Sequence, residues 1–428
     1  MKCRILSIGN ELLIGDTVNT NASWLGEVLT EAGIDVTHTY TIGDDLDTMK
    51  AILSEALSAT DLIITTGGLG PTHDDITKRA VTELFDCELV LEESVLDFIK
   101  KVFKKRNIPF SRSNYHQAEV PDCCEVLFNT QGTAPGMWFD RGTVKLAVLP
   151  GVPHEMKHLM NEQVIPKVRA INGDTEFRRS HYITTAGIGE STLSDEVVGP
   201  LGDVLPNHVS VAYLPSTQGT RIRISAYGSS DEEIDERIDP VRHHIKQKAG
   251  TYIIGEGKDL DLAKAVGKLL AERDLTLSVA ESCTGGYLAN AITDVPGSSR
   301  YMMGGLIAYA NQVKVKQIGV LSDDLNRHGA VSKPVALQMA KGVAYQLNTD
   351  IGVSTTGIAG PDGGTEEKPV GTVWIGFWSD DEHFALKARF TNDRQINKER
   401  SAAVALEVIR RSIMGIKEMP YGLKKYPA

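Results

Sequence analysis

Twice in this chain an apolar, β-branched run stops at a cluster of glycines and a helical pattern begins within a few residues. DLIITT runs into GGLGPTHDDITKRA (61–80), and TLSVAES runs into CTGGYLANAI (276–292). A strand that passes so abruptly into a helix does not return as a hairpin; its next strand is reached by a crossover, and crossovers build parallel sheets covered by helices. The fold class expected is therefore α/β. Over the first 170 residues the alternation is sustained, with strands at 3–8, 35–40, 61–66 and 145–150 and helices near 20–32, 46–58, 75–85, 92–106 and 153–170.

At 428 residues the chain is too long for one core of ordinary size, and the pattern changes at two places. A polar stretch, INGDTEF (171–177), closes the first α/β domain, read as 1–170. Between 175 and 255 follow a strand (HYITTAGI), a helix opening at Ser191, strands SVAYLP and TRIRISAYG, the charged helix DEEIDERIDPVRHHIKQKAG and a strand TYIIG, a small α+β middle domain. A second α/β domain spans 256–415, and the final GLKKYPA reads as a frayed terminus.

Apolar residues make up 41% and charged residues 24%, which excludes a disordered or fibrous chain. No apolar run is long enough to cross a bilayer and the opening residues lack a signal-peptide core, so a cytoplasmic protein without a membrane partner is expected. A net charge of −11 disfavours nucleic acid as a partner while leaving room for a local basic cleft. Cys3, Cys87, Cys123, Cys124 and Cys283 form no C-x-x-C pair and are odd in number, so reduced, mostly buried thiols are expected.

In SVAESCTGGYLANAI the strand ends near Ala280, which leaves Ser282, Cys283 and Thr284 at the carboxyl edge of a sheet, ahead of helix N–H groups that attract a phosphate or an oxyanion. Ser282 fits a nucleophile there, or serves only as a helix cap. No G-x-S-x-G motif marks an ordinary Ser-His-Asp hydrolase. Lys314 in LIAYANQVK follows an apolar strand ending near Tyr309; desolvated, it becomes a neutral base, and Ser–Lys pairs are a recognised catalytic variant. Cys283 is a rival nucleophile that would need an activating neighbour. The run IGVSTTGIAGPDGGTEEKPVGTVWIGF carries Gly357, Gly360, Pro361, Gly363 and Gly364 between two strands, either a cradle for an anion or a wide hairpin loop.

VAESCTGG, AYANQVK, GIAGPDGG and EEKPVGTVW, in this order, resemble the nicotinamide mononucleotide deamidase domain of the competence/damage-inducible CinA family. The resemblance implies metal-free hydrolysis of the nicotinamide mononucleotide carboxamide to nicotinate mononucleotide and ammonia. Ser282 would be the nucleophile, Lys314 its base and Tyr309 a proton relay or orienting group, while Gly357 to Gly364 with Thr284, Gly285 and Gly286 would line the nucleotide pocket. Arg394 in TNDRQINKER resembles the family's Gly-Asp-Arg arginine, a phosphate or ribose contact. Asn392 stands where the family usually has glycine, and Ala310 replaces the common serine after the tyrosine.

Gly67, Gly68 and Gly70, followed by Asp74, Asp75 and Thr77, resemble the GG-x-G loop and D-x-T signature of molybdopterin-binding domains, which implies a three-layer α/β fold. With GNELLIGDTVNTNASW and LPGVPHEM this extends the CinA resemblance over nearly the whole chain. For this half the family implies hydrolysis of ADP-ribose to AMP and ribose 5-phosphate with a divalent metal, magnesium or cobalt. Asp74, Asp75 and Glu155 are the candidate ligands, although Asp74 and Asp75, at the first turn of a helix, also fit simple partners of its dipole, and Glu11, Asn19, Asn21 and Asp44 are further polar candidates. Pyrophosphate cleavage calls for a cation on the leaving phosphate and a water activated by a carboxylate.

The middle domain resembles the family's KH-type domain. GIGES offers Gly187 and Gly189 rather than a G-x-x-G loop, so RNA is not expected as a partner. The partners expected are the two nucleotides and, on the general frequency of symmetric dimers, a second copy of the chain. The rival to this pyridine-nucleotide salvage enzyme is a pterin- or nucleotide-binding regulator of competence or DNA damage response that never turns its ligand over.

Overall fold

The structure, a computed structural model, describes residues 1–70, 76–107, 109–111, 113–173 and 177–428. By their contacts these form two compact units, one of residues 1–179 with 227–234 and one of residues 180–226 with 235–428.

The first unit holds strands β1 (Lys2–Ile8), β2 (Asp35–Ile42), β3 (Leu62–Thr66), β4 (Leu89–Leu91), β5 (Glu119–Pro121), β6 (Glu125–Leu127), β7 (Gly136–Arg141) and β8 (Val144–Leu149). Its main sheet has the order β2-β1-β3-β8-β7-β6. The first four are parallel, as the crossovers require, and β7 and β6 return antiparallel at one edge. Successive residues of β3 point to opposite faces: Leu62 and Ile64 join a core with Leu25, Leu29 and Leu159, and Ile63 joins a core with Met49, Leu53 and Val81. Burial on both faces explains why the strands read as continuous apolar runs, and each fully buried aliphatic side chain contributes about 1.5–3 kcal/mol. The result is three layers, helix on sheet on helix.

One expectation fails here. Cys87 and Cys123 are joined as a disulfide with their Cα atoms 6.1 Å apart, while Cys3, Cys124 and Cys283 stay free. Cys87 lies just past the helix Thr77–Phe85 and Cys123 in the turn after β5. The β4–β5 ladder, in which Leu89 pairs with Pro121, brings the two turns together. Pairing over 36 residues depends on that ladder and not on any local spacing.

In the second unit a four-stranded sheet of order β10-β11-β9-β12 comprises β9 (Phe177–Thr185), β10 (Val209–Pro215), β11 (Thr220–Gly228) and β12 (Ile253–Glu256), of which the first residues of β9 and the last of β11 count with the first unit. The sheet that carries the C-terminal motifs has the order β14-β13-β15-β16-β17-β18, from β13 (Leu277–Glu281), β14 (Met302–Ile307), β15 (Ile351–Gly357), β16 (Thr372–Trp378), β17 (His383–Arg389) and β18 (Lys425–Pro427). β14, β13 and β15 are parallel and the other three antiparallel. The terminus expected to fray is instead an edge strand: Lys425 pairs with Leu386, and the Tyr426 ring lies 5.3 Å from that of Trp374.

The long helix Arg394–Met414 lies under this sheet and also holds the middle domain. Its Glu407 carboxylate accepts from Arg410 and Arg411, all three at most 1% exposed, and Arg410 donates on to the carbonyl of Thr251 at 2.7 Å. A Cβ at Gly187 would stand 2.7 Å from the Arg411 guanidinium, so only glycine fits against this buried ion cluster. No helix among the described residues is long and apolar enough to cross a membrane.

Candidate active site

At the carboxyl edge of β13 the chain turns sharply through Ser282 to Gly286, with Gly285 and Gly286 at φ of 60° and 98°, where a side chain would be strained. The strand runs one residue further than expected, and that residue changes the chemistry of the turn. Glu281, 1% exposed, folds its carboxylate over the start of the helix Tyr287–Thr293 and accepts from the N–H groups of Gly286, Leu288 and Ala289 at 2.9, 3.1 and 2.7 Å. Those donors, expected to face a phosphate or an oxyanion, are satisfied within the protein. Beside Ser282 there remain the N–H groups of Cys283 and Thr284, which among the described residues donate to no oxygen.

Ser282 Oγ lies 3.1 Å from Lys314 Nζ. Lys314 sits on the helix Asn311–Ile318 and is 1% exposed; its ammonium donates to the carbonyls of Ala308 at 2.7 Å and Tyr309 at 2.9 Å. Burial holds its pKa below the usual lysine range. A neutral amine has two N–H bonds and one lone pair, so with both bonds given to carbonyls the lone pair is left for the serine hydroxyl. The rival Cys283 is buried and its thiol is pushed up to about 12 by desolvation, which leaves it protonated at neutral pH.

β15 braces the serine: Ser282 N donates to Thr355 O at 2.9 Å, and the hydroxyls of Thr284 and Thr355 lie 2.6 Å apart. Thr284 is thus wholly buried under the turn. Arg394 donates to Gly360 O at 2.8 Å and, at 3.4 Å, to the hydroxyl of Tyr309, itself 60% exposed. The Tyr309 carbonyl, not its hydroxyl, touches Lys314, and the hydroxyl instead meets Arg394. Gly360 is buried, whereas Pro361, Gly363 and Gly364 are exposed along the loop and Gly357 is half-buried at its start.

Both departures from the family pattern find a place. Asn392 leaves Arg394 in reach of the site because Asp393 caps the helix through Ile396 N at 2.8 Å. Ala310 occupies the N-cap of the helix that carries Lys314, with extended backbone and no side-chain cap.

At the N-terminal edge β1, β2, β3 and β8 end side by side. A Cβ at Gly67 would stand 2.2 Å from Ile8 O, and one at Gly68 2.2 Å from Thr77 Oγ1. Asn21 donates to Gly151 O at 2.8 Å and to Thr66 Oγ1 at 3.2 Å, while its buried Oδ1 has no partner. Asn19 is spent on capping the helix Thr20–Glu31 through Ala22 N. Asp44 accepts from Asn10 N, and Glu11 is exposed beside Gly9. Gly70 is exposed.

Asp74 and Asp75 lie outside the described residues. Glu155 is buried with its pKa raised by desolvation, accepts from Asn129 Nδ2 at 2.6 Å, and lies so close to Gly132 that a Cβ there would be 1.9 Å from its carboxyl carbon. Among the described residues the group whose spacing suits a cation is Cys87, Asp122 and Cys123, and its two sulfurs are bonded to each other. The described residues therefore do not assemble the divalent site, and no step is derived through a metal.

A three-layer α/β domain, a KH-like middle domain and a sheet-edge serine paired with a buried lysine together define the class of this protein. Residues 4–170 match a probable molybdopterin binding domain, 180–255 the damage-inducible protein CinA KH domain and 259–413 the CinA C-terminal domain. The chain is 44% identical over 414 residues to a CinA-like protein of Salinibacter ruber, covering 96% of this chain and all of that one. It is 40% identical to a putative competence-damage inducible protein of Halothermothrix orenii over 93% of this chain and 95% of the other. The crystal structure of competence/damage inducible protein CihA from Agrobacterium tumefaciens matches 36% of this chain and 93% of its own, at 35% identity and a TM-score of 0.35. The chain belongs to the CinA family.

Proposed function

We propose that the C-terminal domain hydrolyses the carboxamide of nicotinamide mononucleotide to nicotinate mononucleotide and ammonia. The observation that carries this reading is the enclosed Lys314 amine, 3.1 Å from Ser282 Oγ with its N–H bonds directed to two carbonyls. A binding protein has no need of a deprotonatable lysine against a serine.

Ser282 Oγ attacks the amide carbon as its proton passes to Lys314. The developing oxyanion faces the N–H groups of Cys283 and Thr284. Collapse expels the nitrogen, which takes the proton from Lys314 and leaves as ammonia. Water then attacks the acyl ester, Lys314 takes a proton from it and returns it to Ser282, and the carboxylate departs. Arg394 and Tyr309, on the exposed side, hold the phosphorylated ribose.

The test is ammonia release from nicotinamide mononucleotide in excess chelator by the parent, Ser282→Ala and Lys314→Ala. Release by the parent and a fall of about a thousandfold or more in each variant is expected. No release by the parent, or undiminished release by Ser282→Ala, overturns the reading and favours a ligand-binding regulator.

For the N-terminal edge we propose a site for a phosphorylated ligand, with ADP-ribose the substrate to test. The unpartnered Asn21 Oδ1 beside Gly67 and Gly151 supports a ligand donor there. Release of AMP from ADP-ribose only when magnesium or cobalt is added is the expected result.

A further inference from the structure

A second concavity in the same unit lies away from Ser282, between the β10–β11 turn, the segment 188–190, the end of β17 and the chain after the last long helix. It encloses about 460 Å³, within the range of small-molecule sites. Its walls are largely apolar, with Pro215, Ala388 and Leu423 among them, and two aromatic rings, Phe390 and Tyr421, border it. Two basic residues, Arg389 and Arg400, are also on its lining. Both are exposed, and among the described residues neither makes an ion pair or hydrogen bond. One acidic residue, Glu190, is also on the lining, which leaves an excess of one positive charge among its residues.

Tyr421 is held in place at a cost. Its φ is 55°, a left-handed conformation unfavourable for a bulky side chain, and its N–H donates to Gly187 O at 2.6 Å. The hydroxyl-bearing turn Ser216–Thr220 closes the opposite side, with Ser216 N donating to Gly219 O at 2.8 Å. Aromatic residues for stacking and two arginines without an ion-pair partner for an anion make a consistent set.

We propose that this pocket binds a nucleoside monophosphate, its phosphate toward Arg389 and Arg400 and its planar base against Phe390 and Tyr421. The proposal is independent of the amidase reading, since none of these residues takes part in the Ser282 chemistry. The floor of the pocket, Ala388 to Phe390, runs directly into the segment that presents Arg394 to Tyr309, so a ligand here sits on the same stretch of backbone as the substrate-facing arginine.

The experiment is calorimetric titration of the full chain with AMP and, separately, with inorganic phosphate. The parent is compared with Arg389→Gln/Arg400→Gln and with Tyr421→Leu, each checked for an unchanged melting temperature. AMP binding to the parent, weakened at least tenfold in the double variant and measurably in Tyr421→Leu, is expected. Should Tyr421→Leu fail to fold, Phe390→Leu serves in its place. AMP affinity that survives the double variant belongs to another site and overturns the proposal. Phosphate binding as tightly as AMP also overturns it, because the rings would then contribute nothing.

Discussion

Lys314 Nζ meets Ser282 Oγ at 3.1 Å in a setting that favours the uncharged amine. If Lys314 is the base of the proposed amidase it must be neutral to act, so kcat/KM for amide hydrolysis is expected to rise with pH and level off once Lys314 has lost its proton. Because burial lowers that pKa, the limb falls below the ordinary lysine value of 10.5. A pH–rate profile checks this, and a midpoint at or above 10.5 contradicts it. The linked stability effect has a definite sign. The unfolded chain binds the proton more tightly, so this burial costs nothing above 10.5 and more as pH falls toward the lowered value. Lys314→Met is expected to melt higher than the parent at neutral pH while losing activity.

Ala310 has the extended backbone of an N-cap, φ −78° and ψ 149°, without an oxygen to satisfy the first turn. Ala310→Ser supplies one and is expected to stabilise the chain by about 0.5–2 kcal/mol. Urea unfolding followed through the C-terminal domain measures it, and Ala310→Gly, which adds no acceptor oxygen, is the control.

Glu407 stands between two enclosed guanidinium groups. Its replacement by alanine leaves both charges buried without their partner, at a cost of about 3–5 kcal/mol. Thermal unfolding of Glu407→Ala is expected to show a drop larger than that of an exposed control such as Glu366→Ala. Equal melting temperatures would mean that the cluster is not enclosed in solution.

The Cys87–Cys123 bond closes a loop across 36 residues, for which loop entropy gives about 3–4 kcal/mol of stabilisation. A peptide map of the unreduced protein is expected to show this pair linked and Cys3, Cys124 and Cys283 free. Five titratable thiols in unreduced, denatured protein would contradict it. Arg141, 3.6 Å from the Cys123 sulfur, would favour the thiolates on reduction, so the pair is expected to open readily with dithiothreitol.

The glycine punctuation made the parallel strands and the Ser282 turn legible from the residues alone, because the turn from strand to helix is a local event. Lys314 and Lys316 look alike in NQVKVKQI, and what separates them is the tertiary packing that encloses the first. The function of Glu281 was hidden for a different reason. As the last residue of β13 it reads as a strand end, and only its fold-back over the next helix shows that it occupies the donors a substrate would otherwise use. The Lys425–Pro427 strand and the Cys87–Cys123 pair are both fixed by partners far away in sequence, so no local pattern announces them.

The contact between Gly132 and Glu155 offers a chemical lever. Since a single methyl group at position 132 would occupy the space of the carboxyl carbon, Gly132→Ala displaces the acid while leaving its own side chain unaltered. An experimenter can thus separate where that carboxylate must stand from whether the chain still carries it, a distinction that substituting the glutamate itself can never draw.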